Sequence, residues 1–374
     1  MDVPITGTAH IDVTVVRSMA ELAPYASPWN SFCAQNHNSL PQLSHAMACS
    51  WLEHRVKPGH EWVVLVAKRD GRPIGFLPLV IQKRACLGLK VSIGAPPQDT
   101  QIASVDMVAE NGSEGAVLAA FLKCLDETFP LFSQLEMFRI AENSVSSRAL
   151  HHAPKGHLLK SKSAGAAACY QITGNFDEYM NSLKPNFSRN LRRLQRKIEG
   201  MADVELASFI GQQCTDDLFE RFLELEASGW KGKERGAILS SPTATAYYRE
   251  VFRRLRELGW CELYTMSLDG VMIAAQFGVR LNRRVFLFKI CYSEEFSNLG
   301  PGNVLMMRTI ERAFQQGDTD EINCLTDMSW HNNWVVTRRP YTTYTLVPKR
   351  IAPMVANSCW TSTRLVKSAF ARIF

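Results

Sequence analysis

The sequence predicts an α/β protein that contains two copies of one α/β unit. Two stretches carry that expectation: Glu61–Lys83 (EWVVLVAKRDGRPIGFLPLVIQK) and Trp260–Leu281 (WCELYTMSLDGVMIAAQFGVRL). Each reads as strand, Asp-Gly turn and strand, led by a tryptophan, and an Asp-Gly pair between β-rich runs is a strong hairpin signal. A helix-bearing segment follows each hairpin. The length of 374 residues suits two domains of ordinary size, and 46% hydrophobic with 21% charged residues describes a core-forming chain. Two unrelated hairpins are the alternative to a duplication.

The first half opens with an alternating strand at His10–Val16. Ser18–Ala26 and Ser27–Asn36 read as short helices, each opened by a serine able to cap it. Ser44–Arg55 is a further helix. After the first hairpin come a strand at Leu89–Gly94, a loop at Ala95–Ile102, a helix at Gly115–Thr128 and a strand at Gln134–Ile140. His151–Ser163 is polar and basic and leads into the small-residue run Ala164–Ala168, which marks a domain junction. The division expected is 1–165, 166–348 and a basic segment 349–374.

The second half starts with a strand, Cys169–Thr173, and a helix, Phe176–Leu183. Lys184–Gly200 (KPNFSRNLRRLQRKIEG) follows, with Lys184, Arg189, Arg192, Arg193, Arg196 and Lys197 against one acid, Glu199. Phe187, Leu191, Leu194 and Ile198 form one apolar helical stripe opposite the arginines. Such a helix is either a solvated face docked by its stripe or a cationic wall toward a polyanion: a phosphate-bearing cofactor, an anionic lipid surface or nucleic acid. Then come a strand at Val204–Ile210 and helices at Asp216–Trp230 and Ala244–Leu258. Beyond the second hairpin lie a strand at Arg284–Cys291, a glycine-bearing loop at Ser293–Asn303 and a helix at Val304–Gln316. Strands at Glu321–Leu325 and Tyr341–Val347 close the chain.

The net charge of +6 is modest, compatible with anionic partners and below that of a dedicated nucleic-acid binder. Ten scattered cysteines without a CxxC pair suggest a reducing compartment and no structural zinc. The polar N-terminus lacks the apolar core of a signal peptide, and no run approaches 18 apolar residues. A cytoplasmic protein, peripheral at most on the inner membrane, is expected.

Three places could carry chemistry. In FSNLGPGNV, Gly300 and Gly302 allow close backbone approach and Asn303 could cap the following helix, whose N-terminus suits a phosphate. In TDMSWHNNW, His331 with Asp327 nearby could accept a proton from an amine or hydroxyl, or could be a histidine packed between Trp330 and Trp334. Glu226, in LELEASGW, is a second candidate base that could equally pair with Arg221 or Lys231. GxSxG, Walker, HExxH and GxGxxG signatures are absent, and nothing points to a metal or redox cofactor. From Lys349 to Phe374 there are five basic residues and no acid, and Leu365, Val366, Ala369, Phe370, Ile373 and Phe374 make an apolar face. That helix could lie on an anionic membrane or dock on its own protein.

Four motifs in order, PNFSRNLRRLQRKIEG, LELEASGWKGK, WCELYTMSLDGVMIAAQFGV and LGPGNVLMMRTIERAFQQG, resemble the GNAT-type acyltransferases of the CelD / BioF2-like group, which are similar to FemAB enzymes. The resemblance covers about residues 170–335 and reaches the first half chiefly through EWVVLVAKRDGRPIGFLPLV. It implies two tandem GNAT-like modules with mixed, largely antiparallel central sheets flanked by helices. It implies an acyl-CoA or acyl carrier protein donor, no permanently bound cofactor, and an amine or hydroxyl acceptor. Gly300, Gly302 and Asn303 would then hold the donor pyrophosphate, with Arg189, Arg192 and Arg193 toward CoA phosphates or anionic lipid. His331, Asp327 and Glu226 become the catalytic candidates. A backbone N–H of Leu263–Met266 or Ala274–Phe277 would polarise the thioester carbonyl. Group members that acylate lipid amines, as bacterial ceramide synthases do, make a long-chain lipid acceptor one expectation. A non-catalytic partner in envelope or polysaccharide (cellulose) assembly is the alternative, and nucleic acid is the least favoured ligand.

Overall fold

A computed structural model of the chain describes residues 10–36, 39–86, 89–99, 106–151, 156–201, 203–229 and 236–357. The chain divides into two compact units, 1–164 with 340–374, and 165–339. Residues 340–348 therefore join the first unit, whereas the sequence had suggested the second.

The first unit runs β1 (Ile11–Val16), α1 (Met19–Leu22), α2 (Ala26–Gln35), α3 (His45–His54), β2 (Glu61–Arg69), β3 (Arg72–Cys86), β4 (Leu89–Ala95), β5 (Val108–Ala109), α4 (Glu114–Thr128), β6 (Phe132–Ala141), α5 (Val145–His151) and the start of β7 (His157–Gln171). Strands β1 to β4 are sequential antiparallel neighbours, and β6 joins β4 in parallel. The last strand of the chain, β13 (Thr337–Pro348), pairs antiparallel with β6 through Tyr341–Leu346. The core lies where Val117, Leu118, Phe121, Leu122 and Leu125 of α4 meet Val63, Leu65, Ile74, Leu77 and Leu79 of the hairpin.

The second unit repeats this order. It takes the end of β7, then α6 (Phe176–Ser182), α7 (Pro185–Glu199), β8 (Val204–Ile210), α8 (Asp216–Ser228), α9 (Pro242–Glu257), β9 (Cys261–Leu268), β10 (Val271–Leu281), β11 (Arg284–Tyr292), α10 (Pro301–Gln316), β12 (Glu321–Asn323) and the start of β13. Strands β8 to β11 are antiparallel neighbours, β12 is parallel to β11, and β7 closes the order on β12. The closing strand of the first unit thus comes from the chain that follows the second, while the second unit is closed by its own residues Cys169–Gln171.

Both hairpins turn as their sequences dictate. Asp70 and Gly71 take φ of 51° and 76°, and Asp269 and Gly270 take 50° and 75°. Two consecutive positive φ values match the twist of the flanking strands, and aspartate and glycine tolerate them.

Three expectations change. The polar stretch His157–Ser163 is the first half of β7, and Val145–His151 is helical. The last long helix begins at Pro301, not Val304, because proline at the first helical position lacks only an N–H that would have no partner there. Of the C-terminal segment, 351–357 is helical, while the apolar face Leu365–Phe374 lies outside the described residues. No helix among the described residues is long and apolar enough to cross a membrane.

Candidate functional site

In the second unit the parallel ladder between β11 and β12 is short. Only Arg284, Val285 and Phe286 find partners, in Glu321, Ile322 and Asn323. β11 continues to Tyr292 with its other edge on β10. From Leu287 onward β11 runs past the end of its ladder with β12. The paired end is fastened by buried charge: Glu321 lies 3.9 Å from Arg284, also pairs with Arg339, and accepts from Gln171 at 2.9 Å. β9 and β10 are paired on both edges. The N–H groups of Leu263–Met266 and Ala274–Phe277 therefore lie in strands with a ladder on each side.

α10 starts beyond the end of β11. Gly300 is its N-cap in the left-handed region (φ 59°), and a Cβ there would lie 2.8 Å from Leu194 Cδ1. At Gly302 a Cβ would lie 3.1 Å from Tyr292 Cδ1. Both glycines are therefore required by the chain's own packing as well as by any ligand. Asn303 is inside the first turn, donating its N–H to Gly300 O at 3.1 Å, so it is not the cap. No side chain caps this terminus. Pro301 has no N–H and those of Asn303 and Val304 go to Gly300 O, so this helix start offers an anion the Gly302 N–H and the positive end of the helix dipole.

Leu194 places the arginine helix, α7, against that loop. Leu191, Leu194 and Ile198 are buried in the same core as Leu299, Val304, Met307 and Ile310. Arg308 of α10 pairs with Glu199 of α7. The arginines on the other face bond to neutral oxygens: Arg189 to Asn186 Oδ1 (2.6 Å) and Pro185 O, Arg192 to Asn181 Oδ1 (3.5 Å), and Arg193 to Asn190 Oδ1 (3.0 Å). Among the described residues none of these three has a carboxylate partner, so their charge is available to an anion. At the start of α7, Lys184, Asn186, Phe187, Asn190 and Asn333 line a surface cavity of ≈ 470 Å³.

His331 lies in a 3-10 turn, Ser329–Asn333, and is buried. Its Nδ1 accepts the Met328 N–H at 2.8 Å and is 3.5 Å from Asp327 Oδ1. Asp327 is held by Arg338 Nε at 2.7 Å. Burial pushes the imidazole below its ordinary value, against the opposing pull of Asp327. With Nδ1 accepting, the neutral ring carries its proton on Nε2. In this arrangement His331 presents a donor, and its basic nitrogen is already engaged. The ring stacks on Trp330 at 3.7 Å and meets Tyr170 edge-on at 6.3 Å.

Glu226 is elsewhere. Phe277 of β10 packs on Phe219 and Phe222 of α8, while its neighbour Gln276 reaches Met306 and Thr309 of α10. Adjacent strand residues face opposite ways, so α8 covers the sheet face that α7 and α10 do not. Glu226 is buried there and its Oε2 accepts the Ile238 N–H at 2.8 Å. Arg221 donates to Gly270 O rather than to Glu226, and Lys231 lies outside the described residues. One turn on, a Cβ at Gly229 would be 3.7 Å from Tyr292 O, so α8 ends against the end of β11.

The structure therefore gathers Gly300, Gly302, Asn303 and the arginine helix around the α10 start, and groups His331 with Asp327. Glu226 lies on the opposite face of the sheet, with its Oε2 on the Ile238 N–H. Sequence reasoning did not single out Tyr170. It is one apolar-looking residue in a short strand, and only tertiary structure shows its hydroxyl buried beside His331.

Residues 185–328 match the family model described as Acetyltransferase (GNAT) domain. No curated protein matches the chain. Among solved structures, FemX aligns at TM-score 0.58 with 12% identity, covering 85% of this chain and 95% of that one. The C-terminal domain (DUF2156) of a protein described as a lysylphosphatidylglycerol synthetase, from Agrobacterium fabrum, aligns at TM-score 0.56 with 12% identity, over 93% and 97% of the two chains. A conserved protein of unknown function from Bacteroides thetaiotaomicron VPI-5482 aligns at TM-score 0.51 with 13% identity, over 87% and 97%. At such identities the likeness is one of fold. The chain has the fold of two GNAT-like modules, the second carrying the acetyltransferase-type domain.

Proposed function

We propose that the second unit transfers an acyl group from a thioester, acyl-CoA or acyl carrier protein, to an amine or hydroxyl acceptor. One observation carries the reading: the parallel ladder of β11 and β12 stops after three paired residues, and a helix capped by Gly300 starts beyond the end of the longer strand. The donor's phosphates sit on the α10 start, with Arg189, Arg192 or Arg193 adding charge. The thioester lies beside β11 beyond its ladder with β12, where a backbone N–H polarises its carbonyl. Glu226, buried on α8, takes the proton from the attacking amine or hydroxyl. The tetrahedral intermediate then collapses with the thiolate as leaving group. His331, with the Met328 N–H holding Nδ1, acts as a hydrogen-bond donor through Nε2.

A lipid acceptor at an anionic membrane surface, such as a long-chain amine, is the finer reading. It is supported by the exposed arginines of α7, whose bonds go to neutral groups, and by the basic composition from Lys349 to Phe374. The family match and the fold of FemX support the transferase class and not the acceptor.

The test is thiol release from acyl-CoAs of increasing chain length, with small and lipid amines as acceptors. Acceptor-dependent thiol release is expected, and Glu226→Gln should lower kcat by roughly 10²-fold with little change in donor KM. Absence of turnover and of donor binding with every acyl-CoA and acyl carrier protein would sink the reading in favour of a non-catalytic assembly role.

A further inference from the structure

The second unit contains a group of buried donors of which the acyl-transfer scheme uses only His331. Tyr170, on β7 opposite Ile322 of β12, is fully buried, and so is His331; Trp334 is 5% exposed. Their rings form one cluster, with Tyr170 to His331 at 6.3 Å and Tyr170 to Trp334 at 5.8 Å. Among the described residues none of Tyr170 Oη, His331 Nε2 and Trp334 Nε1 has a hydrogen-bond partner. All three carry a proton. The indole N–H cannot lose it, burial raises the Tyr170 hydroxyl well above its ordinary value, and the Met328 N–H on Nδ1 assigns the imidazole proton to Nε2. Buried donors without acceptors are costly and rare, and three in ring contact call for a shared acceptor.

We propose that Tyr170, His331 and Trp334 form a subsite that hydrogen-bonds the oxygen of a neutral carbonyl group on a small ligand. The charges nearby favour a neutral group over an anion. The nearest carboxylate, Asp327, is 3.5 Å from His331 Nδ1, and Arg338 is spent on Asp327 at 2.7 Å. No lysine or arginine is paired into the ring cluster among the described residues. Phe187, which lines the cavity at the start of α7, packs edge-on against Trp334 at 5.1 Å, and Asn333 of the same cavity precedes Trp334. The carbonyl can belong to the donor thioester, in which case the subsite rests on the acyl-transfer reading, or to an amide of the acceptor, in which case it stands without it.

The experiment compares the full-length protein with Tyr170→Phe and Trp334→Phe. It measures thermal midpoint without ligand, calorimetric affinity for acetyl-CoA and for CoA, and the Trp334 indole N–H resonance during titration with acetamide or acetate. Tyr170→Phe removes only an unsatisfied hydroxyl, so its midpoint should be unchanged or higher. Its affinity for the carbonyl ligand should fall by about tenfold. Loss with acetyl-CoA and not CoA assigns the oxygen to the thioester; loss of the acetamide response assigns it to an acceptor amide. Acetate outcompeting acetamide would overturn the neutral-carbonyl assignment. A lower midpoint with unchanged responses to every probe would mean that the hydroxyl serves a buried water, and the subsite would fall. If the wild-type protein binds no acetyl-CoA yet responds to acetamide through Tyr170, the acyl-transfer reading fails and the subsite stands.

Discussion

Asp106 gives the first unit a pH dependence whose sign and size follow from its surroundings. The carboxyl is 3% exposed, between Met107 and the start of α5. It accepts the Met107 N–H at 2.5 Å, the Ser144 hydroxyl at 3.1 Å and the Ser146 hydroxyl. Desolvation outweighs these bonds and the more distant Arg148, and raises the group from 3.8 to about 7. Between those values the folded protein holds a proton that the unfolded chain has released. Stability is therefore fully present below the unfolded value and is lost as pH rises through about 7. At ~1.4 kcal/mol per pH unit the whole interval amounts to roughly 4 kcal/mol. Asp106→Asn keeps the shape and an acceptor oxygen but cannot ionise. Urea unfolding of both proteins, followed through the tryptophans of the first unit, should show wild-type stability falling between pH 5 and pH 8, at ~1.4 kcal/mol per unit where the slope is full. The variant should lack that slope and overtake the wild type above neutrality. Equal slopes in the two proteins would refute the reasoning.

Gly300→Ala forces a Cβ into the left-handed region and toward Leu194; it should cost about 1–2 kcal/mol of stability and weaken donor binding, measured by denaturation and calorimetry. Replacement by asparagine, which tolerates that backbone, should cost less. Glu321→Gln removes the carboxylate between Arg284 and Arg339 at the β11–β12 ladder. It should destabilise the second unit by about 3 kcal/mol, because a buried arginine loses its counter-charge. Equal stability of the Gln variant would mean that the backbone ladder alone holds the strands there.

What could be read from the sequence was what local chemistry fixes. Asp70-Gly71 and Asp269-Gly270 admit essentially one turn, and the stripe Phe187, Leu191, Leu194, Ile198 admits one helical face. The first half of β7 was hidden because HLLKSKS is largely exposed in the fold and so shows no apolar alternation. α5 was hidden because seven residues carry too little periodicity. At the site, the glycine loop was legible as a helix start, but not as a helix beginning three residues earlier. That Gly300 and Gly302 answer to Leu194 and Tyr292 is a matter of packing across sequence distance. The same holds for His331: its neighbours in sequence suggested a base, and only the Met328 N–H on Nδ1 shows which nitrogen is occupied.

The measurement that bears most directly on the central claim is hydrogen exchange of the full-length protein with and without CoA. A donor seated on the α10 start and beside β11 beyond its ladder with β12 should slow exchange at 300–304 and 287–292 and leave the matching strand and helix of the first unit unchanged. Protection confined to other elements, or none at saturating CoA, would contradict the account.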